Sequence, residues 1–216
     1  MGIRVLDIYR GNRVDIAYEK ATGIDAVIFK GGQGAYQDMR WNNWHIIDEC
    51  RDADMPYGVY WVRDARIDPV AEKAAIKESF PDGNFGQLGF FLDVEKPVIS
   101  MKEADYNRLP FAHYKPIESV LQSMQAFSKT GVGIYTSPGQ WALCAGNVPE
   151  LKQEWFAEFP LWSAQYAPSP QLYGKWTEIK MWQFRESPDW SMVLDPLWFY
   201  GKVEPPKWVR QIGRPR

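Results

Sequence analysis

The stretch Gly89-Phe90-Phe91-Leu92-Asp93-Val94-Glu95 is an apolar run that ends in two carboxylates two residues apart. Successive side chains of a strand point to opposite faces, so Asp93 and Glu95 fall on the same side, about 6.6–6.8 Å apart along the backbone. The residues before them are too apolar for a surface segment, and Leu88–Val94 reads as a strand buried on both faces. Acids at the end of such a strand need a reason. A carboxyl in a partly desolvated site has its pKa raised and can deliver a proton near neutral pH, as general acid catalysis requires. The competing interpretation makes Asp93 a cap for a following helix and Glu95 a solvated strand end.

Working outward, short apolar strands alternate with helical patterns, the signature of a parallel β/α architecture. Strands are expected at Ile3–Tyr9, Ala26–Lys30, Tyr57–Val62, Leu88–Val94, Val132–Thr136, Pro160–Tyr166, Ile179–Phe184 and Leu194–Tyr200. Helices are expected at Val14–Thr22, Trp41–Ala53, Asp68–Phe80, Ile117–Lys129, Gly139–Cys144 and Pro149–Phe156, the third with proline in its first turn. Eight strands with fewer than eight helices predict an α/β fold, a single irregular TIM-like barrel, with loops replacing helices between the later strands. No repeat or domain boundary interrupts residues 1–202. Residues 203–216, with Lys207, Arg210, Arg214, Arg216 and three prolines, read as a basic tail or linker stub.

A chain of 216 residues suits one such barrel. The formal charge of −2 gives no general attraction to nucleic acid or anionic membranes. Cys50 and Cys144 are far apart in apolar-flanked segments, which favours two buried free thiols. With only His45 and His113 besides, no metal spacing is present, and neither a metal nor a cofactor is expected. No apolar run approaches the ~18 residues of a membrane span, and the chain enters its first strand with no classical signal peptide. Leu6 stands where a myristoylation pattern needs Ser or Thr. Aromatic content is high, with 11 Trp, 11 Tyr and 11 Phe; without a basic excess, their faces suit sugars better than bases.

Functional groups of such barrels sit at the C-terminal ends of strands. Asp7 ends the first expected strand, Asp93 and Glu95 the fourth, and Asp195 lies at the last. Singly, Asp7 could cap a turn and Asp195-Pro196 could start one. Closure of a barrel brings first and last strands together, so that all four acids would line one pocket.

The same residues resemble glycoside hydrolase family 25, the muramidases, over about Ile3 to Gly201. The similar elements are Ile3 to Ile8 with Gly11 and Val14-Asp15; Gly23 to Lys30; Tyr57-Gly58-Val59-Tyr60; and the family's Asp-x-Glu signature at Asp93 and Glu95. They continue with Gly133-Ile134-Tyr135-Thr136 followed by Trp141; Pro160-Leu161-Trp162 with Ala164-Gln165-Tyr166; Trp182-Gln183-Phe184; and Asp195 with Phe199 and Gly201. There are departures. Gly31-Gly32-Gln33-Gly34 stands where the family has a small residue, Thr, Glu and Gly, so Gln33 replaces a pocket acid. Trp61 stands where His is usual, His113 fits no family motif, and the loop Glu186–Val193 differs from the usual Gly-rich one.

The resemblance implies hydrolysis of the β-1,4 bond between N-acetylmuramic acid and N-acetylglucosamine in peptidoglycan glycan strands. Glu95 would be the general acid/base and Asp93 would orient or tune it. Asp7 or Asp195 would act as nucleophile or hold the substrate's acetamido group for internal attack. Tyr60, Trp61, Tyr135, Trp162, Trp182 and Gln183 are candidates for a sugar-binding wall, with barrel core the alternative for Trp162 and Trp182. Lys30 would bind substrate or pair with a pocket acid. Two rivals share the fold: a sugar-binding barrel without turnover, which Gln33 favours, and a chitinase-like enzyme, disfavoured because its Asp-x-x-Asp-x-Asp-x-Glu run is absent. The expected setting is synthesis in a host cytoplasm and phage-type release to the wall through another protein's holin-type pore. Membership of a larger extracellular or virion protein, or loss of a wall-binding domain, would fit as well.

Overall fold

Nine strands join in one sheet whose ends meet. The computed structural model describes residues 3–9, 14–37, 43–98, 100–145, 148–186 and 189–193. In chain order the elements are β1 (Ile3–Ile8), α1 (Ile16–Ala21), β2 (Ala26–Gln33), β3 (Tyr36–Gln37), α2 (Asn43–Asp52), β4 (Tyr57–Val62), α3 (Pro69–Ser79) and β5 (Gly89–Asp93). They continue with α4 (Glu103–Tyr106), α5 (Tyr114–Phe127), β6 (Val132–Thr136), α6 (Pro138–Ala145), α7 (Glu150–Ala157), β7 (Leu161–Ala164), β8 (Met181–Glu186) and β9 (Asp189–Val193).

The sheet order is β1-β9-β8-β7-β6-β5-β4-β2-β3, and an added β1–β2 pairing closes it into a ring of eight, with β3 a short hairpin arm on β2. Seven ring strands run parallel; β9 is antiparallel to both β8 and β1. The expected irregular α/β barrel is the fold that forms. Its eighth strand differs from expectation: Asp189–Val193, read from sequence as a loop, takes that place. Val193 pairs with Ile3 and Met181, the first residues of β1 and β8, so β9 ends at the base of the barrel. Asp195, the expected strand Leu194–Tyr200 and the expected tail lie outside the described residues.

Alternation along each strand divides the core in two. Ile3, Val5, Ala26, Ile28, Tyr60, Leu88, Phe91, Trp162 and Met181 fill the barrel. Leu6, Ile8, Val27, Phe29, Val59, Trp61, Phe90, Leu92 and Ile134 face outward against the helices. The helices answer with one apolar face each; α5 buries Ile117, Val120, Leu121 and Met124 at helical spacing. Asp15 and Asp68 cap α1 and α3 by accepting from the backbone N–H of Tyr18 and Val70.

Trp162 plugs the interior. Its ring meets Tyr135, Phe91 and Tyr60 edge-on, with centroids 4.5, 5.7 and 6.0 Å away, and its indole N–H donates to Ser191 Oγ at 2.9 Å. Each edge-on pair adds about 0.5–1.5 kcal/mol beyond the area buried. The polar handle is satisfied, so the plug carries no penalty for its N–H. Chemistry is thereby confined to the mouth above it.

Candidate active site

At the mouth the inward positions turn from apolar to polar. Asp7 follows Val5 on β1, Lys30 follows Ile28 on β2, Asp93 follows Phe91 on β5, and Gln183 follows Met181 on β8, each continuing its strand's inward set. Tyr135 sits beside Asp93 in the β5–β6 ladder. Asp7, Asp93 and Gln183 are buried.

Glu95 lies just beyond the end of β5, where backbone hydrogen bonds hold the chain on both sides. Val94 N–H donates to Tyr135 O at 2.8 Å, and the Thr136 hydroxyl donates to Val94 O at 2.8 Å. Lys96 N–H donates to Gln140 Oε1 at 3.1 Å, and Gln33 Nε2 donates to Pro97 O at 3.0 Å. The segment is therefore fixed without a regular element.

Burial pushes the Glu95 carboxyl up to about 7, with Lys96 opposing. Asp93 is raised well above the carboxylate range, first by burial and then by the negative charge of Glu95; Lys30 opposes and Asp7 adds to the rise. Among the described residues Asp93 Oδ1 is buried without a hydrogen-bond partner. Tyr135 is raised by burial and by the same three carboxylates. Removal of water thus outweighs the cations present, and the pair Asp93–Glu95 retains a proton near neutrality. Such a site can protonate a leaving oxygen while nearby carboxylates support positive charge on the departing carbon.

One amide organises the neutral side of the cleft. Gln183 Nε2 donates to Asp7 Oδ2 at 3.0 Å, while its Oε1 accepts from Tyr135 OH at 2.8 Å and Tyr166 OH at 3.4 Å. Tyr60 lies on the interior side of β4, against Trp162. Among the described residues, no three His, Cys, Asp or Glu side chains are grouped to hold a metal ion, and no helix is long and apolar enough to cross a membrane.

The structure gathers Asp7, Asp93, Glu95, Lys30, Tyr135 and Gln183 at the mouth. It does not bring Trp61 there. Trp61 faces the helices, fully buried, and its indole N–H donates to Gly34 O at 3.1 Å. Tyr60 and Trp61 are adjacent on one strand, so only one of them can face inward. Trp182 alternates with Gln183 in the same way; it packs against the outer core, and its N–H donates to Gln165 O at 2.7 Å. Trp162 is interior plug rather than exposed wall. Sequence reasoning missed Tyr166 as a site residue, although it ends the motif after β7, and noted Gln33 only as a departure.

The sequence model of glycosyl hydrolases family 25 matches residues 6–192. Among solved structures, the fold is similar to a family 25 lysozyme from Aspergillus fumigatus (TM-score 0.70, 18% identity, covering 98% of this chain and 99% of that one). It is also similar to a bacterial lysozyme from Streptomyces coelicolor (TM-score 0.71, 16% identity, 94% and 97%). A muramidase from Acremonium alcalophilum gives a TM-score of 0.69 at 19% identity, covering 92% and 97%. At these identities the likeness is one of fold. Counting factor 50 of Dictyostelium discoideum is 34% identical over 77 residues, 32% of this chain and 24% of that protein's length.

Proposed function

The chain belongs to glycosyl hydrolase family 25, and from that premise we propose that it cleaves the β-1,4 bond between N-acetylmuramic acid and N-acetylglucosamine in peptidoglycan. The observation that carries the reading is Glu95, its carboxyl raised to about 7 by burial, held at the mouth beside Asp93 and Asp7. Glu95 protonates the departing glycosidic oxygen. The substrate's own acetamido oxygen closes on the anomeric carbon as that bond breaks, and water then opens the ring intermediate with Glu95 as base. Asp93 orients the acetamido group, and Asp7, fixed by Gln183, supports the positive charge that develops at the carbon.

Tyr135, Tyr166 and Gln183 form the polar wall on which the sugar rests. Release to the wall through a pore made by another protein, or residence in a larger extracellular or virion protein, would bring the site to such a substrate.

The test is clearance of purified cell walls with identification of the sugar at each new reducing end. Muramic acid ends are expected from the wild type and none from Glu95→Gln. Walls left turbid and without new ends would make the protein a sugar-binding barrel instead.

A further inference from the structure

β2 contains one residue too many for its neighbour. Lys30 pairs with Tyr60 and Gly32 with Trp61, so Gly31 has no counterpart on β4. In a regular strand residues three apart face opposite ways; an inserted residue reverses the parity beyond it. Gln33, now opposite Val62, consequently turns to the same side as Lys30. Its Oε1 accepts from the Lys30 ammonium at 3.0 Å, and its Nε2 donates to Pro97 O at 3.0 Å, two residues past Glu95.

Trp61 packs against the irregularity. A Cβ at Gly32 would lie 2.4 Å from both the indole and Tyr36 O, and one at Gly31 would lie 2.7 Å from Val59 Cγ1. The indole fills the space that the glycines leave, and its N–H holds Gly34 O. Three separate departures from the family pattern, Gly32, Gln33 and Trp61, are therefore one packed unit.

The same contacts say why an amide suits position 33. A glutamate would carry no proton for Pro97 O. It would also bring a second negative charge near Asp64, which is already paired with Arg66 at 2.8 and 2.5 Å.

We propose that Gln33 is a positioning residue of this site, spanning from the Lys30 ammonium to the Pro97 carbonyl and so tying the segment that carries Glu95 to the strand that carries Lys30. The role rests on the glycosidase reading above. Glu95 and Asp93 are faced by Asp7 from β1, Lys30 from β2 and Tyr135 from β6, with Lys96 next in the chain. Loss of the tie gives the segment freedom to admit water to that cluster.

The experiment compares wild type, Gln33→Met and Gln33→Glu, reading kcat and KM on wall fragments. The Glu95 carboxyl is titrated in parallel by carbon NMR without substrate. In Q33M, which adds no charge, kcat is expected to fall about 10- to 100-fold with KM changed less than about threefold. The Glu95 titration should move down towards the ordinary range. Q33E restores the contact to Lys30 but not the bond to Pro97, so it should recover none of the lost kcat. The proposal is overturned if Q33M keeps kcat within about twofold, if Glu95 titrates unchanged in Q33M, or if Q33E is fully active. Should the wild type release no reducing ends, the glycosidase reading falls, while the titration still decides whether Gln33 holds Glu95 in place.

Discussion

Gln183 and Asp7 are 176 residues apart, yet the amide of one donates to the carboxylate of the other at 3.0 Å. Their strands are separated in the ring by β9, so the bond spans the antiparallel strand that joins the first and last parallel strands. Both side chains are buried, and the same amide receives Tyr135 and Tyr166 on its other end. A single side chain thereby couples closure of the fold to assembly of the mouth.

Replacing Gln183 by Leu removes a donor from a buried carboxylate and an acceptor from Tyr135. The expected loss is about 1–3 kcal/mol of stability at pH 7, read from urea unfolding. A change below about 0.5 kcal/mol would mean that Asp7 does not depend on this bond.

Activity should fall as pH rises through about 7, because Glu95 must carry a proton to act as acid and burial sets its titration there. The alkaline limb of kcat/KM on wall fragments reports this. A limb at the ordinary carboxylate value, near pH 4.5, would show that Glu95 is not the acid.

Stability carries the same signature with a definite sign. Glu95 titrates higher in the folded state than its ordinary 4.5, so folding disfavours its ionised form. The penalty is absent below about pH 4.5, develops as pH rises to about 7 and is complete above that. Glu95→Gln should therefore equal the wild type in stability at low pH and exceed it at pH 8, as thermal unfolding across that range can establish.

Arg63 and Glu72 form an almost fully buried pair at 3.1 Å behind the mouth, and burial raises Glu72 to about 7 even beside the guanidinium. Arg63→Met leaves that carboxylate without its partner. At pH 8.5 the expected cost is about 3–5 kcal/mol. At pH 5.5 a protonated Glu72 makes the cost smaller. Equal losses by urea unfolding at the two pH values would count against an ionised Glu72 in the wild type.

Trp182→Phe tests whether that ring belongs to the sugar wall. Its indole donates to Gln165 O and packs on the outer core, so the change should cost about 1 kcal/mol and leave KM within about twofold. A tenfold rise in KM would place Trp182 in the sugar site after all.

How much was legible follows from the range of the interactions involved. Seven of the eight ring strands could be read because each carries a short group of apolar residues, most of them flanked by Gly, Pro or Asp, and such signals are local. β9 could not, since Asp189-Trp190-Ser191-Met192-Val193 is short and mixed. Its pairing with β1 and β8 supplies what its own sequence lacks. The acids Asp7, Asp93 and Glu95 were legible as polar residues at the ends of buried strands. The aromatic wall was less so: composition marks a Trp as valuable without saying which face it takes.

By itself, the order of residues determined a parallel β/α barrel with Asp7, Asp93 and Glu95 at strand ends, because apolar period and turn residues act over a few positions. Only the tertiary structure decided that Trp61 turns outward, that Gln33 turns towards Lys30 and that β9 runs antiparallel to its ring neighbours. In a sheet one inserted residue reverses every facing beyond it, and whether that residue is accommodated depends on packing against a neighbouring strand.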